Sequence, residues 1–218
     1  MNQTALQTAP PRRALRVAPA LALPVLAAVA SVVIQCCPAA QAALQYDRSA
    51  ISAGQHWRLV TGHMAHWGWR HLAGDISAMV LLCWAIGLRN WRKSVLTALG
   101  GAVVISLAIT IASPETIVYR GLSGINYGLL AWAVLARLAA SPGRIAACYA
   151  TLLAALAAKV CLDVASPGLI PSVGLPEGIS LTGLAHAAGF YAAVLMCIIH
   201  NSLRPTISKP RSGVSLAQ

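Results

Sequence analysis

Charge is scarce in this chain, and negative charge is scarcest. Only 10% of the 218 residues are charged, and five of them are acidic: Asp47, Asp75, Glu115, Asp163 and Glu177. A soluble domain needs a charged surface. This scarcity, with 58% hydrophobic residues and a mean hydropathy of +0.69, excludes an ordinary soluble fold. No linker or internal repeat divides the chain. Its six cysteines lack metal-ligand spacing, and no pattern marks a bound metal or cofactor, so none is expected.

What the chain does have is apolar length, enough for about six spans of roughly 20 residues. They fall near 18–37, 71–88, 94–112, 122–139, 144–163 and 181–200. The expected fold is all-α: residues 17–203 form a six-helix polytopic membrane domain between a basic cytoplasmic tail, 1–16, and a second tail, 204–218. The net charge of +11 would suggest nucleic acid on a soluble protein. Topology explains it better. With the N-terminus inside, Arg12, Arg13, Arg16, Arg89, Arg92, Lys93, Arg137, Arg144, Arg204, Lys209 and Arg211 are cytoplasmic, and all five acids lie on or near the outer side. Nucleic acid is therefore set aside, and the lipid bilayer is the expected partner. The first span has a rival reading as a signal peptide, with Ala40-Gln41-Ala42 as the cleavage site; its apolar run is too long for that, and a retained helix is preferred. Cys36, Cys37 and Cys161 fall at outer ends of spans, where a disulfide is conceivable. Cys83, Cys148 and Cys197 are expected as buried thiols.

The polar residues gather on the outer side. The longest connection, about 38–70, carries Trp57, Trp67 and Trp69, read as an interfacial aromatic belt. His63, His66 and His71 follow no well-defined zinc pattern. His71 and Asp75, at i and i+4, share one face at the start of the second span. Ser123 opens the fourth span within "YRGLSGINYGLL", and His186 sits in the first two turns of the sixth, within "AHAAGFYAA". A serine on the first helical turn has free N–H groups and the positive end of the helix dipole beside it, which suits a developing oxyanion. Gly121 and Gly124 allow a bend and a close approach; Gly124, Gly128 and Gly189 allow the fourth and sixth helices to pack closely. A Ser123–His186 pair would then be an activated nucleophile with its general base. Tyr127, one turn after Ser123, could stack on the imidazole. No carboxylate is obviously placed to orient His186, so a dyad is expected, not a triad. The same glycines and serine also suit plain helix packing, and on the residues alone both readings stand.

Three segments together resemble the rhomboid family of intramembrane serine proteases, over about Trp57 to His200. "WRLVTGHMAHWGWRHLAGD" resembles the family's first outer loop and second helix, "GLSGINYGLL" its nucleophile segment, and "AHAAGFYAA" its histidine segment. The resemblance implies Ser123 as nucleophile, His186 as general base and acid, Tyr127 and Gly189 as histidine packing, and His71 as a donor to the oxyanion. Asp75, Leu122, Gly121 and Gly124 would complete the oxyanion support. The family usually has asparagine where this chain has Asp75, and an ionised carboxylate only accepts hydrogen bonds. The small core, short tails and this Asp look most like the rhombosortase branch. That implies a bacterial inner-membrane enzyme with its site open to the periplasm. Its partners would be membrane-anchored exported proteins, including ones with a Gly-Gly-containing C-terminal tail. The alternatives are a catalytically inactive rhomboid-like protein that binds transmembrane clients, and a small transporter or proton relay dependent on Asp75 and Asp163.

Overall fold

Helices occupy all six apolar stretches in the computed structural model, which describes residues 17–87, 91–166 and 183–202. The two expected tails, Arg89 and Glu177 lie outside the described residues. The long helices are α1 (Val17–Gln35), α5 (Trp69–Ile86), α6 (Trp91–Ala112), α7 (Ser123–Ala140), α8 (Gly143–Ala165) and α9 (Gly183–Ser202). By length and composition, α6 and α8 could cross a membrane. A third crossing results if the C-terminal part of α1 is counted together with α2 (Pro38–Leu44), across a 118° bend; α9 holds a shorter apolar stretch, Gly183–Ile199. Pro38 begins α2, where its missing N–H costs nothing and its fixed φ favours a new helix direction.

The connection between α1 and α5 is more structured than an aromatic belt requires. After α2 come β1 (Tyr46–Asp47), the short helices α3 (Arg48–Ser52) and α4 (Arg58–Thr61), and a 3₁₀ turn at Gly62–Met64. β1 pairs antiparallel with β2 (Val118–Tyr119), the one addition to an otherwise helical fold among the described residues, with Tyr46 opposite Tyr119. Three arginines fasten this connection, each through backbone carbonyls or side-chain amides. Arg48 donates to the carbonyls of Thr110 (2.8 Å), Ile109 (2.9 Å) and Ser113 (2.7 Å), which satisfies the open C-terminal end of α6. Arg58, buried, donates to Ala42 O at 2.8 Å and Gln45 O at 2.9 Å. Arg120 donates to Gln45 Oε1 at 2.8 Å and covers the Trp67 ring at 4.3 Å. Trp57 and Trp69 remain more than half exposed.

α7 lies at the centre, packed by α5, α6, α8 and α9, while α1 packs on α5 and α6. Burial is inverted relative to a soluble protein. Trp84 and Ile111 are each 80% exposed, whereas His63, His66, His71, Asp75, Asn126 and His186 are buried. Large apolar groups facing outward need a nonpolar surrounding, and ionisable groups turned inward mark a functional interior. The helices alternate in direction, which separates the two ends of the bundle. Near one end Arg137, at the end of α7, donates to Ala85 O of α5 at 3.1 Å, and Arg92, Lys93 and Arg144 begin α6 and α8. The residues of the next section lie at the opposite end. All six cysteines are free thiols; of the three expected to be buried, Cys148 is exposed on α8 and Cys83 and Cys197 are half-buried.

Candidate active site

Leu122 ends the connection from β2, and Ser123 is the first residue of α7. Its N–H therefore has no partner in the helix's own ladder, and the helix dipole points its positive end at the serine. The preceding backbone is shaped by Gly121, whose φ is +124°, a value L side chains rarely adopt. A Cβ there would also come within 2.8 Å of His71 Cε1, so only glycine lets the chain pass the imidazole. Two further groups hold this turn. The Tyr119 hydroxyl donates to Gly121 O at 3.0 Å, and His63 Nδ1 lies 3.3 Å from the same carbonyl. Burial raises the pKa of the Tyr119 phenol, which keeps it a donor.

α9 reaches the serine because glycine lines its contact with α7. A Cβ on Gly189 would overlap the Gly124 carbonyl, and one on Gly124 would come within 2.7 Å of Ala185 O. With the backbones this close, His186, one turn before Gly189, places Nε2 3.1 Å from Ser123 Oγ. Tyr127 lies nearly parallel to the imidazole, ring centroids 4.3 Å apart and planes inclined by 19°. His186 is buried, whereas Ser123 and Tyr127 are half-buried, so the hydroxyl stays reachable.

The expectation that no carboxylate orients His186 is overturned. Asp163 Oδ2, from the last turns of α8, lies 2.8 Å from His186 Nδ1, and Asp163 Oδ1 is paired with Lys159 one turn earlier. An ionised carboxylate can only accept, so Nδ1 carries the hydrogen and the Nε2 lone pair is left facing Ser123. The signal was present in the sequence: an acid inside an apolar stretch, four residues after a lysine, is costly unless it has a buried partner. The partner lies on another helix, which spacing along α8 could not name.

Asp75 takes a part different from the one expected of an oxyanion donor. Its Oδ2 accepts the Leu122 N–H at 2.8 Å and lies 3.2 Å from His66 Nε2 and 3.3 Å from His71 Nε2. Its backbone carbonyl accepts from Asn126 Nδ2 at 2.9 Å, a contact the sequence did not suggest. Asp75 thus ties the loop before Ser123 to α5 and uses up the Leu122 N–H. His71 turns Nε2 toward Asp75, and its Nδ1 has no hydrogen-bond partner among the described residues. Among the described residues, the first-turn N–H groups of α7, that of Ser123 included, have no partner in the helix ladder. Among the described residues no group of three or more His, Cys, Asp or Glu is arranged to hold a metal.

A model of the Rhomboid domain matches residues 53–202, which include every group described in this section. No curated protein and no solved structure matches the chain.

Proposed function

The chain belongs to the rhomboid family, and from that premise we propose that it is an intramembrane serine endopeptidase of the rhombosortase type. One observation carries the reading: the 3.1 Å approach of His186 Nε2 to Ser123 Oγ, at the dipole-positive end of α7. In the reaction, Ser123 Oγ attacks a backbone carbonyl of the substrate while His186 Nε2 takes the hydroxyl proton. The Ser123 N–H and His71 face the developing oxyanion. His186 then gives its proton to the leaving amine as the C–N bond breaks, and water releases the acyl-enzyme by the reverse proton path.

Six crossings with cytoplasmic termini are part of the proposal, and so is a site opening to the periplasm from a bacterial inner membrane. The separation of Arg92, Lys93, Arg137 and Arg144 from the Ser123 end of the bundle supports that orientation. Substrates would be membrane-anchored exported proteins whose spanning or C-terminal tail segment unwinds near the outer interface. A Gly-Gly-containing tail suits this, because glycine gives up helical structure at little cost.

Co-expression with a tagged, membrane-anchored reporter bearing a Gly-Gly tail tests the reading. Cleavage by the wild type that is lost in Ser123→Ala and in His186→Ala is expected. An uncleaved reporter that still co-purifies with wild type and Ser123→Ala alike would favour client binding without catalysis. Asp75, which accepts hydrogen bonds where a donor is usual, is the feature consistent with that second reading.

A further inference from the structure

A serine–histidine pair makes no use of Asp163, yet this acid has one oxygen on the imidazole and the other on Lys159. We propose that Asp163 is a positioning residue for His186, selecting its tautomer and stabilising its protonated form, with Lys159 holding the carboxylate in place. The inference rests on the reading of Ser123 and His186 as nucleophile and base.

Tyr127 alone does not set the state of His186. Stacking at 4.3 Å fixes the plane of the imidazole, but a flip about the Cβ–Cγ bond keeps that plane and exchanges the ring edges. Nor does stacking distinguish a ring protonated on Nδ1 from one protonated on Nε2. A carboxylate 2.8 Å from Nδ1 does both. It accepts and cannot donate, so it favours the tautomer in which Nε2 can take the Ser123 proton. When that proton moves and the Oγ–carbonyl bond forms, the positive charge appears on a ring already facing an anion. The proton stays on His186 until the amine leaves; Asp163 does not take it.

Burial and spacing agree with a dedicated role. The Asp163 side chain is 10% exposed, on a helix whose buried residues are the apolar Leu156 and Val160. An acid so placed is costly without a partner. Lys159 lies on the same helix face, and its ammonium sits 5.7 Å from the centre of the Tyr127 ring. The groups around His186 are then Ser123 and Tyr127 on α7 and Asp163 and Lys159 on α8, with the charge of Asp75 on α5 farther off.

The test is the second-order rate of fluorophosphonate labelling at Ser123, measured against pH on the purified full chain. For Asp163→Asn the plateau rate is expected to fall about 10²–10⁴-fold, because an amide can support the wrong tautomer. Its profile midpoint should move to lower pH, because the imidazolium has lost its anion. Asp163→Glu should recover part of the rate. Lys159→Met should move the midpoint the other way, because the carboxylate then faces His186 without a competing cation. Wild-type rate and midpoint in Asp163→Asn would overturn the proposal. So would rate losses that follow a fall in melting temperature while both midpoints stay fixed, which is the mark of a structural role. A wild type that does not label at all would contradict the serine–histidine reading beneath it.

Discussion

Asp75 Oδ2 accepts the Leu122 N–H at 2.8 Å, so a carboxylate on α5 holds the residue immediately before the candidate nucleophile. Asparagine offers the same acceptor oxygen, and Asp75→Asn should keep the fold and label with fluorophosphonate within about tenfold of wild type. Asp75→Leu removes the acceptor and leaves a buried N–H without a partner, at a cost of about 1–3 kcal/mol. Thermal melting in detergent, run beside labelling, separates the two variants. Complete loss of labelling in a well-folded Asp75→Asn would show that the charge, and not the acceptor, is required.

The Ser123–His186 distance depends on the absence of a side chain at Gly189. In Gly189→Ala the new methyl overlaps the Gly124 carbonyl, so α9 must shift away from α7. Overpacking of this kind costs about 1–3 kcal/mol, and labelling should fall at least about tenfold. Val194→Ala, farther along α9, serves as a control that removes volume without forcing the helices apart. Equal labelling of Gly189→Ala and wild type would mean that the contact does not set the approach.

His63 should make stability depend on pH. It is fully buried, with Nε2 3.0 Å from Ala102 O and Nδ1 3.3 Å from Gly121 O, and burial lowers its pKa from 6.5 to about 4. The unfolded chain takes up this proton near pH 6.5, the folded chain only near pH 4. Between those values the unfolded state binds more protons, so stability rises with pH across the window. It is fully present above about pH 6.5 and is lost as pH falls toward 4. Melting temperatures of wild type at pH 7.5 and 4.5 should therefore differ more than those of His63→Gln. An identical pH dependence in the two proteins would assign the effect to other groups.

The sequence made the helices legible because each apolar stretch is bounded by polar or Pro/Gly-containing segments; "SPG" at 141–143, for example, marks the start of α8. Ser123, Tyr127 and His186 are legible because each sits near the start of its helix or one turn inside it, at one common depth. Asp163 is not, because its partner is 23 residues away across residues 167–182 and on a different helix. Asp75 stands out in the sequence, but its bond to the Leu122 N–H depends on the path of the Gly121 backbone, and a φ of +124° is not written in the neighbouring residue types. The tryptophans of the 38–70 connection suggest an interfacial belt but say nothing of its internal order. Its order comes from Arg48 and Arg58, whose partners are mostly backbone carbonyls, and Arg48 finds them on a distant helix. Carbonyl acceptors belong to every residue type and leave no trace in composition.

The proposed nucleophile is Ser123, activated by His186. The most direct measurement is fluorophosphonate labelling of detergent-solubilised full-length protein, with the modified residue located by peptide mass spectrometry. It requires no knowledge of the substrate. A single adduct on Ser123 in the wild type, no adduct in Ser123→Ala, and a sharp fall in His186→Ala with unchanged melting temperature are expected. A well-folded wild type that carries no adduct, or one that labels equally with and without His186, would contradict that assignment.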